Sequence, residues 1–225
     1  GASVYGSVNL TFSDLLNNHR VSTYVQLAGS LRDLGGQVSY FNRTRRFGWG
    51  VGAAHTPYRS ESSADGTTTV TTADGEEVEA DITQRVIDRS FVDTGQLLGS
   101  YPLSENLRFE GLAGYTRVSY LREVQTIARA GGDRLFKRTE LTTPADPLNL
   151  GQGAVAFVGD YSSSGFTGPL DGTRFRTEID TSLGSLSIVN ATADFRFYRF
   201  LRPFGLALQG LTAGQFFTRN TGGLI

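Results

Sequence analysis

The segment that most constrains the fold is 7–13, SVNLTFS, in which polar and apolar residues alternate without a break. Successive side chains of a β-strand point to opposite faces, so this period of two predicts a strand with one apolar and one polar face. The pattern is compatible with two environments for the apolar face. One is the core of a soluble β-sandwich, and the other is the hydrocarbon of a membrane.

The same alternation recurs along the chain, whereas no segment has convincing helical periodicity. It predicts ten strands, at about 7–13, 21–28, 37–42, 47–53, 85–98, 107–122, 154–161, 174–180, 189–197 and 204–209. The fifth and seventh of these are the most weakly patterned. We therefore expect an all-β, antiparallel fold in which residues 1–225 form a single domain.

The composition limits the chemistry that the chain can perform. It contains 225 residues with no Cys, no Met and only two His, and its net charge is −1. A disulfide or a Cys-bearing metal site is impossible, and no overall positive field would attract nucleic acid. No apolar run approaches the roughly 18 residues that a membrane helix needs, so a membrane role would require a β-barrel. We expect no cofactor, no bound metal and no nucleic-acid partner.

Two late segments, RFRTEID at 174–180 and VNATADFRF at 189–197, carry dense charge of both signs on one face and apolar residues on the other. Such a mixed-charge face is typical of a barrel lumen, where arginines and carboxylates interdigitate. A solvated outer face and a substrate-binding stripe are the alternatives. The predicted lumen-facing network comprises Arg174, Arg176, Glu178, Asp180, Asp194 and Arg196.

Aromatic residues cluster near the predicted strand ends, as in the interfacial girdle of a membrane barrel. Together with the mixed-charge faces, they favour a transmembrane β-barrel over a soluble β-sandwich or closed barrel whose aromatics form the core. The predicted lipid-facing or girdle residues are Phe12, Tyr40, Trp49, Phe195, Phe197 and Phe204.

Most predicted connections are short, but those at about 59–84 and 123–150 are long. In the first, Asp65-Gly66 and Asp74-Gly75 are turn signals, and the stretch TTTVTTADGEEVEA is typical of a protruding hairpin. Both long connections follow an even-numbered strand, so they share one side of a barrel. In outer-membrane barrels the long loops are extracellular.

If the connections that follow even-numbered strands are extracellular, both ends of a ten-stranded chain lie on the extracellular side as well. Complete bacterial barrels have an even number of strands and insert from the periplasm, where both ends normally lie. We therefore expect a partial barrel that lacks at least one strand before Gly1 and an odd number of strands after Ile225.

No constellation predicts catalysis. His19 lies in a predicted turn and His55 at a strand end, and the chain has no Gly-x-Ser-x-Gly elbow, which makes a hydrolase the most remote alternative. The motif Gly48-x-Gly50-x-Gly52 lacks the spacing and following helix of a phosphate loop. We interpret it as an inward strand face that leaves room for a neighbour or a plug. The acid-rich loop lacks the pattern of a dedicated calcium loop. We expect a protein that is not an enzyme.

Several short motifs, most of which contain an aromatic residue, resemble motifs of a known family. They are Asp33-x-x-Gly36, Tyr40-x-Asn42-Arg43, Trp49-Gly50, Pro57-Tyr58, Arg174-Phe175-Arg176 and Asp194-Phe195-Arg196-x-Tyr198. The segments 12–58 and 172–217 that contain them resemble the barrel found after TolB-like β-propellers in bacterial proteins. That barrel is similar to the BamA-type surface-antigen barrels, which have about sixteen strands. The family's Val-Arg-Gly-Tyr segment is absent from this sequence, as is a preceding propeller.

The resemblance implies a non-enzymatic barrel of the bacterial outer membrane that serves in the assembly, translocation or anchoring of a partner. Its partners would be outer-membrane lipid and other outer-membrane or periplasmic proteins. A passive diffusion porin and a soluble β-sandwich or barrel binding module are the alternatives.

Overall fold

The computed structural model describes residues 4–71, 77–131, 133–165, 168–185, 187–202 and 204–217. Over these ranges the chain forms an antiparallel sheet of twelve strands and a single 3-10 turn, Leu31–Asp33. The predicted all-β, antiparallel class is therefore confirmed. The strands are β1 (Val4–Ser13), β2 (His19–Gly29), β3 (Leu34–Asn42), β4 (Gly48–Thr71), β5 (Glu77–Pro102), β6 (Leu107–Ala130), β7 (Asp133–Thr142), β8 (Leu148–Asp160), β9 (Ser163–Ser164), β10 (Pro169–Gly184), β11 (Ile188–Leu201) and β12 (Phe204–Phe217).

The sheet follows the order of the chain. Its main path is β1-β2-β3-β4-β5-β6-β8-β10-β11-β12, and these ten strands overlap the ten that the alternation predicts. The short strands β7 and β9 lie off this path and pair with β6 and β10. In the described part of the chain, β1 and β12 each have a neighbour on one side only, so the sheet is open and not closed into a barrel.

The two expected long connections are largely regular hairpins. β4 and β5 pair without interruption from Gly48 opposite Ser100 to Thr71 opposite Glu77. Residues 59–84 thus belong mostly to this ladder, and the Asp65-Gly66 turn signal lies inside β4. The second signal, Asp74-Gly75, lies outside the described residues. Within 123–150, β7 pairs with the outer part of β6, with a register shift near Ala128.

Both long hairpins extend from the same end of the sheet, as the parity of the predicted strands requires. We call this the hairpin end, and the connections 30–33 and 185–187 also lie there. The opposite end, which we call the turn end, carries the connections 14–18, 43–47, 103–106 and 161–168. The chain therefore forms long hairpins at the hairpin end of the sheet and short connections at the turn end.

The cross-strand register keeps the alternation of all ten strands in phase. Residues directly opposite one another lie on the same face, so the pairings assign every strand residue to one of two sides. We call the first side the belt face and its apolar residues the belt. The belt includes Val8, Leu10, Phe12, Val21, Val25, Val38, Tyr40, Trp49, Val51, Leu97, Tyr101, Leu107, Phe109, Tyr115, Val155, Phe157, Phe175, Ile179, Phe195, Phe197, Phe204, Leu206 and Leu208.

The other side, the polar face, carries hydroxyl, amide and charged side chains, and it includes Thr94, Gln96, Thr116, Gln152 and Glu178. It is also the side of the Gly48-x-Gly50-x-Gly52 motif. The belt face is thus the more apolar of the two surfaces, although the polar face also carries some apolar residues, such as Phe41 and Leu98.

The belt is not covered. Val155 is 62% exposed, Ile179 60% and Phe195 52%. In the described ranges all strands belong to one sheet, and no second layer packs on this face. The few buried hydrophobic residues are mostly alanines, such as Ala80 and Ala156. The sheet formed by the described residues thus lacks the two-layer core that a β-sandwich has.

Glycines on neighbouring strands make room for aromatic rings. Gly50 lies opposite Phe41, and a Cβ added to this glycine would come within 2.6 Å of the phenyl ring and 3.0 Å of the Tyr40 carbonyl oxygen. The ring of Phe175 lies over Gly159 in the same way on the belt face. The interpretation of the glycine motif as room for a neighbour is confirmed at Gly50.

We predict that Gly50→Ala destabilises the β3–β4 pairing, because the added methyl group has to displace the Phe41 ring and the backbone. We expect a loss of about 1–3 kcal/mol, as for other overpacked sites. The measurement is the midpoint of urea unfolding. Gly95→Ala is the control, since nothing lies within 4 Å of its added Cβ. Equal midpoints for the two variants would contradict the prediction.

Candidate functional site

The six predicted charged residues all lie on the polar face. Arg174 is opposite Arg196, and Arg176 is opposite Asp194. They do not form one network, however, but separate groups that recruit residues from other strands. Their assignment to a lumen stays a prediction.

The largest group bridges three strands. Arg176 Nη1 on β10 lies 2.6 Å from Glu110 Oε2 on β6, although β8 runs between these two strands. Arg176 also binds Glu178 at 2.6 Å, and Arg108 binds Glu110 at 2.6 Å. Ala156 lies beneath these side chains and is 2% exposed. A small residue on β8 thus lets long charged side chains meet above it.

The other charged residues form local pairs. Arg174 donates to Asp160 at 2.9 Å, and Arg196 donates to Asp194 at 2.6 Å. Asp180 does not join a charged partner but accepts a hydrogen bond from Asn190 at 2.7 Å. Of the partners that the sequence reasoning missed, Arg108 and Glu110 alternate at the start of β6, which is the signal that could have identified them.

Neutral hydrogen bonds continue the polar face between the charged groups. The hydroxyls of Thr94 and Thr116 lie 3.1 Å apart, and Thr116 donates to Gln152 at 3.0 Å. On β2, next to the edge strand β1, the Tyr24 hydroxyl donates to Gln26 at 2.9 Å. This surface offers hydrogen-bonding groups across its breadth and is suited to contact with water.

The six predicted lipid-facing or girdle residues all lie on the belt face and near the turn end. Phe12 is opposite Val21, and Phe204 begins β12 opposite Leu201. Rings from neighbouring strands touch along this edge of the belt, including Tyr40 with Trp49 at 5.4 Å between centroids. Phe109, Phe157 and Phe175 form a second contiguous row, with centroid distances of 4.9 and 5.5 Å.

On the central strands the belt stops before the hairpin end, at the point where the side chains of the belt face change from apolar to charged. His55, Asp93 and Arg117 lie side by side on β4, β5 and β6, and His55 binds Asp93 at 2.6 Å. On β6 the belt face carries Leu107 to Tyr115 before this change. Eight residue steps correspond to roughly 26 Å along a strand.

Beyond this limit, a buried ionic cluster forms around Arg89. Its guanidinium donates to Asp33 and to Glu123, each at 2.9 Å, and Arg89 is only 4% exposed. Asp33 is 2% exposed and Glu123 7%. Asp33 belongs to the β2–β3 connection, so the cluster ties that connection to the hairpin strands β5 and β6.

The sequence reasoning missed this cluster. It noted Asp33 only within a turn motif, and it placed Arg89 in a weakly patterned strand and Glu123 at the start of a long connection. The ion pairs join residues 56 and 34 positions apart in the chain, which no local pattern reveals. Two further arginines lie beside these carboxylates. Arg32 is 3.2 Å from Glu123, and Arg59 is 3.5 Å from Asp33.

The cluster favours the charged form of its carboxyl groups. Burial alone would raise the pKa of Asp33, but hydrogen bonds from Ser30 and Arg89 and the nearby arginine charges outweigh it and lower that pKa. The hydrogen bond from Gln125 lowers the pKa of Glu123 against the effect of burial, and Arg89 lowers it further.

The two histidines have separate partners. His19 Nδ1 lies 2.8 Å from the Tyr40 hydroxyl, and His55 binds Asp93 and stacks on Phe91. Among the described residues, no group of three or more His, Asp or Glu side chains could hold a metal ion. No helix in the described ranges is long and apolar enough to cross a membrane.

The site and fold thus define an open, antiparallel sheet with one exposed apolar belt and one polar face. Comparison with models of protein families gives no match. Searches of curated proteins and of solved structures likewise give no match. The resemblance to BamA-type barrels therefore stays a prediction.

We predict that Arg89→Met destabilises the protein by about 3 kcal/mol, because it leaves two buried carboxylates without their shared partner. The comparison variant is Arg138→Met, which removes an exposed ion pair to Glu140 and should cost less than about 1 kcal/mol. Urea unfolding of both variants measures the difference. A cost for Arg89→Met no larger than for Arg138→Met would show that the cluster is not a stabilising contact.

The cluster should also weaken in acid. Since folding lowers the pKa of Asp33 and Glu123, their contribution is present above the pKa values of the unfolded chain, about 4, and is lost as the pH falls through the folded values. We expect the urea midpoint to drop between pH 6 and pH 3. The drop should be smaller in Asp33→Asn/Glu123→Gln, which carries no titrating carboxyl at these positions. An identical drop in both proteins would refute the assignment.

Proposed function

We propose that this sheet is a segment of the wall of a transmembrane β-barrel in the bacterial outer membrane. The observation that carries the proposal is the belt, an exposed apolar surface that crosses all ten strands of the path. A side chain of the size of Val to Phe gains roughly 1.5–3 kcal/mol on leaving water, so leaving the whole belt in water would be very unfavourable. Lipid is the environment that removes this cost without a second protein layer.

The dimensions of the belt support this environment. The belt face of β6 is apolar over residues 107–115, and the tilted strand of an outer-membrane barrel crosses the hydrocarbon with about 9–11 residues. Aromatic rings line it at the turn end, and the charged row of His55, Asp93 and Arg117 limits it at the hairpin end. The polar face would then line the aqueous interior, where the Arg176 and Arg174 groups find water and counter-charges.

The open edges support closure with further strands. β1 and β12 each leave one row of backbone groups without a strand partner in the described sheet. In hydrocarbon every unpaired N–H or C=O costs several kcal/mol, so a membrane barrel has no free edge. We propose a barrel of about sixteen strands, as the resemblance to BamA-type barrels implies. The hairpin end would be extracellular and the turn end periplasmic.

Within this class we propose a non-enzymatic role in the assembly, translocation or anchoring of a partner at the outer membrane. The polar face offers paired charges and hydrogen bonds across several strands, which suits contact with a polypeptide. Outer-membrane lipid and other outer-membrane or periplasmic proteins are the proposed partners.

The first experiment is refolding into detergent micelles, followed by electrophoresis with and without boiling. A barrel is expected to migrate differently when it is not boiled and to need detergent to remain in solution. A protein that stays monomeric in buffer without detergent would overturn the proposal in favour of a soluble binding module. Conductance across a planar bilayer tests the porin alternative, which requires steady current through an open interior.

We predict that an arginine is much more destabilising on the belt face of β8 than on its polar face. Val155→Arg puts a charge in the middle of the belt and should cost about 2–4 kcal/mol of stability in lipid vesicles. Ala154→Arg lies on the polar face opposite Asp180 and should change stability by less than about 1 kcal/mol. Urea unfolding from vesicles is the measurement. If Val155→Arg is as stable as the unmodified protein, the belt does not face lipid.

A further inference from the structure

A pocket of about 620 Å³ lies at the turn end, between the β3–β4 connection and the start of β6. Most of its strand residues, among them Phe41, Gly50, Leu98 and Arg108, belong to the polar face, whereas Trp49, Gly99 and Gly111 belong to the belt face, so the pocket opens mainly on the polar side of the sheet. The volume is within the range of roughly 300–1,000 Å³ that ligand pockets have. The Arg108–Glu110 ion pair lies at one side of this pocket.

The pocket carries an excess of positive charge. Arg43, Arg45 and Arg46 come from the connection NRTRRF, and the side chains of Arg43 and Arg45 make no hydrogen bond or ion pair with any described residue. Arg46 donates to the backbone carbonyls of Pro102 and Leu103, which are neutral acceptors. The acidic residue in the lining, Glu110, is already bound by Arg108 and Arg176.

The floor of the pocket is apolar. Phe41 lies over Gly50, and Leu98 is the cross-strand neighbour of that glycine. A Cβ added at Gly48 would be in ordinary van der Waals contact with Arg43 Cγ at 3.7 Å, so this position of the lining tolerates a side chain. Uncompensated guanidinium groups above an apolar floor suit a ligand that combines an anionic group with an apolar one.

We propose that this pocket binds an acidic polypeptide segment in which a carboxylate stands next to an apolar side chain. Arg43 and Arg45 would hold the carboxylate, and the apolar side chain would rest on Phe41 and Leu98. A lipid headgroup fits less well, because the pocket opens mainly on the polar face and the belt lies on the other face. This inference rests on the proposed function, since it assigns a contact site for the partner polypeptide at the mouth of the barrel.

The test uses the refolded protein and isothermal titration calorimetry with three acetylated, amidated tetrapeptides. Glu-Phe-Glu-Phe carries both features, Gln-Phe-Gln-Phe lacks the charge, and Glu-Ser-Glu-Ser lacks the apolar groups. We expect binding of the first to be at least about tenfold tighter than binding of either control, since a charge-assisted hydrogen bond contributes about that factor.

Matched variants locate the site. Arg43→Gln and Arg45→Gln should each weaken binding of Glu-Phe-Glu-Phe about tenfold, as should Gly48→Leu, which puts a bulky side chain in the lining of the pocket. The controls are Arg202→Gln, an exposed arginine in the β11–β12 turn, and Gly205→Leu, on the polar face with nothing within 4 Å of its added Cβ. Both should stay within twofold of the unmodified protein.

The proposal would be overturned if all three peptides bound equally well, or if Glu-Ser-Glu-Ser bound as tightly as Glu-Phe-Glu-Phe. It would also be overturned if the control variants Arg202→Gln and Gly205→Leu lost binding. Tight binding of free phenylacetate without the peptide would replace the polypeptide with a small organic acid. Electrophoretic migration of each variant before boiling checks that it has folded. Because the titration can be run in detergent or in buffer, failure of peptide binding is distinguishable from failure of the membrane proposal.

Discussion

The whole structure depends on the in-phase register of ten antiparallel strands. Because the side-chain period is two, a slip of one residue in any pair would move that strand's apolar residues to the polar face. Specific side-chain contacts across strands favour the observed register. Phe41 needs the bare backbone of Gly50, and Arg176 reaches Glu110 only because Ala156 between them is small. Packing and electrostatics thus specify the same alignment.

The belt face illustrates how one side of a strand can change its chemistry along its length. On β5 it carries Tyr101 and Leu97 near the turn end, Asp93 further along, and Arg89 in the hairpin. The apolar part has no protein partner in the described sheet, whereas Arg89 is covered by the β2–β3 connection. Asp33 from that connection neutralises Arg89, which lets the arginine be buried at a place where the sheet itself offers no core.

The alternation predicted the ten strands of the path because each buries or exposes one face consistently. It failed for the outer parts of β4 and β5, where segments such as SESSADGTTTV are polar on both faces and carry no period of two. For the same reason it missed β7. The six charged residues were correctly grouped on one face, but their partners Glu110 and Asp160 lie on other strands and follow from register.

The β4–β5 ladder continues from His55 to Thr71 beyond the edge of the belt. At about 3.3 Å per residue this is a ribbon of roughly 50 Å, longer than the thickness of the apolar band itself. In the proposed orientation it would stand well clear of the bilayer on the outer surface of the cell. A virus, an antibody or a neighbouring cell would then touch the Thr- and Glu-rich tip of this ribbon before it reached the rest of the molecule.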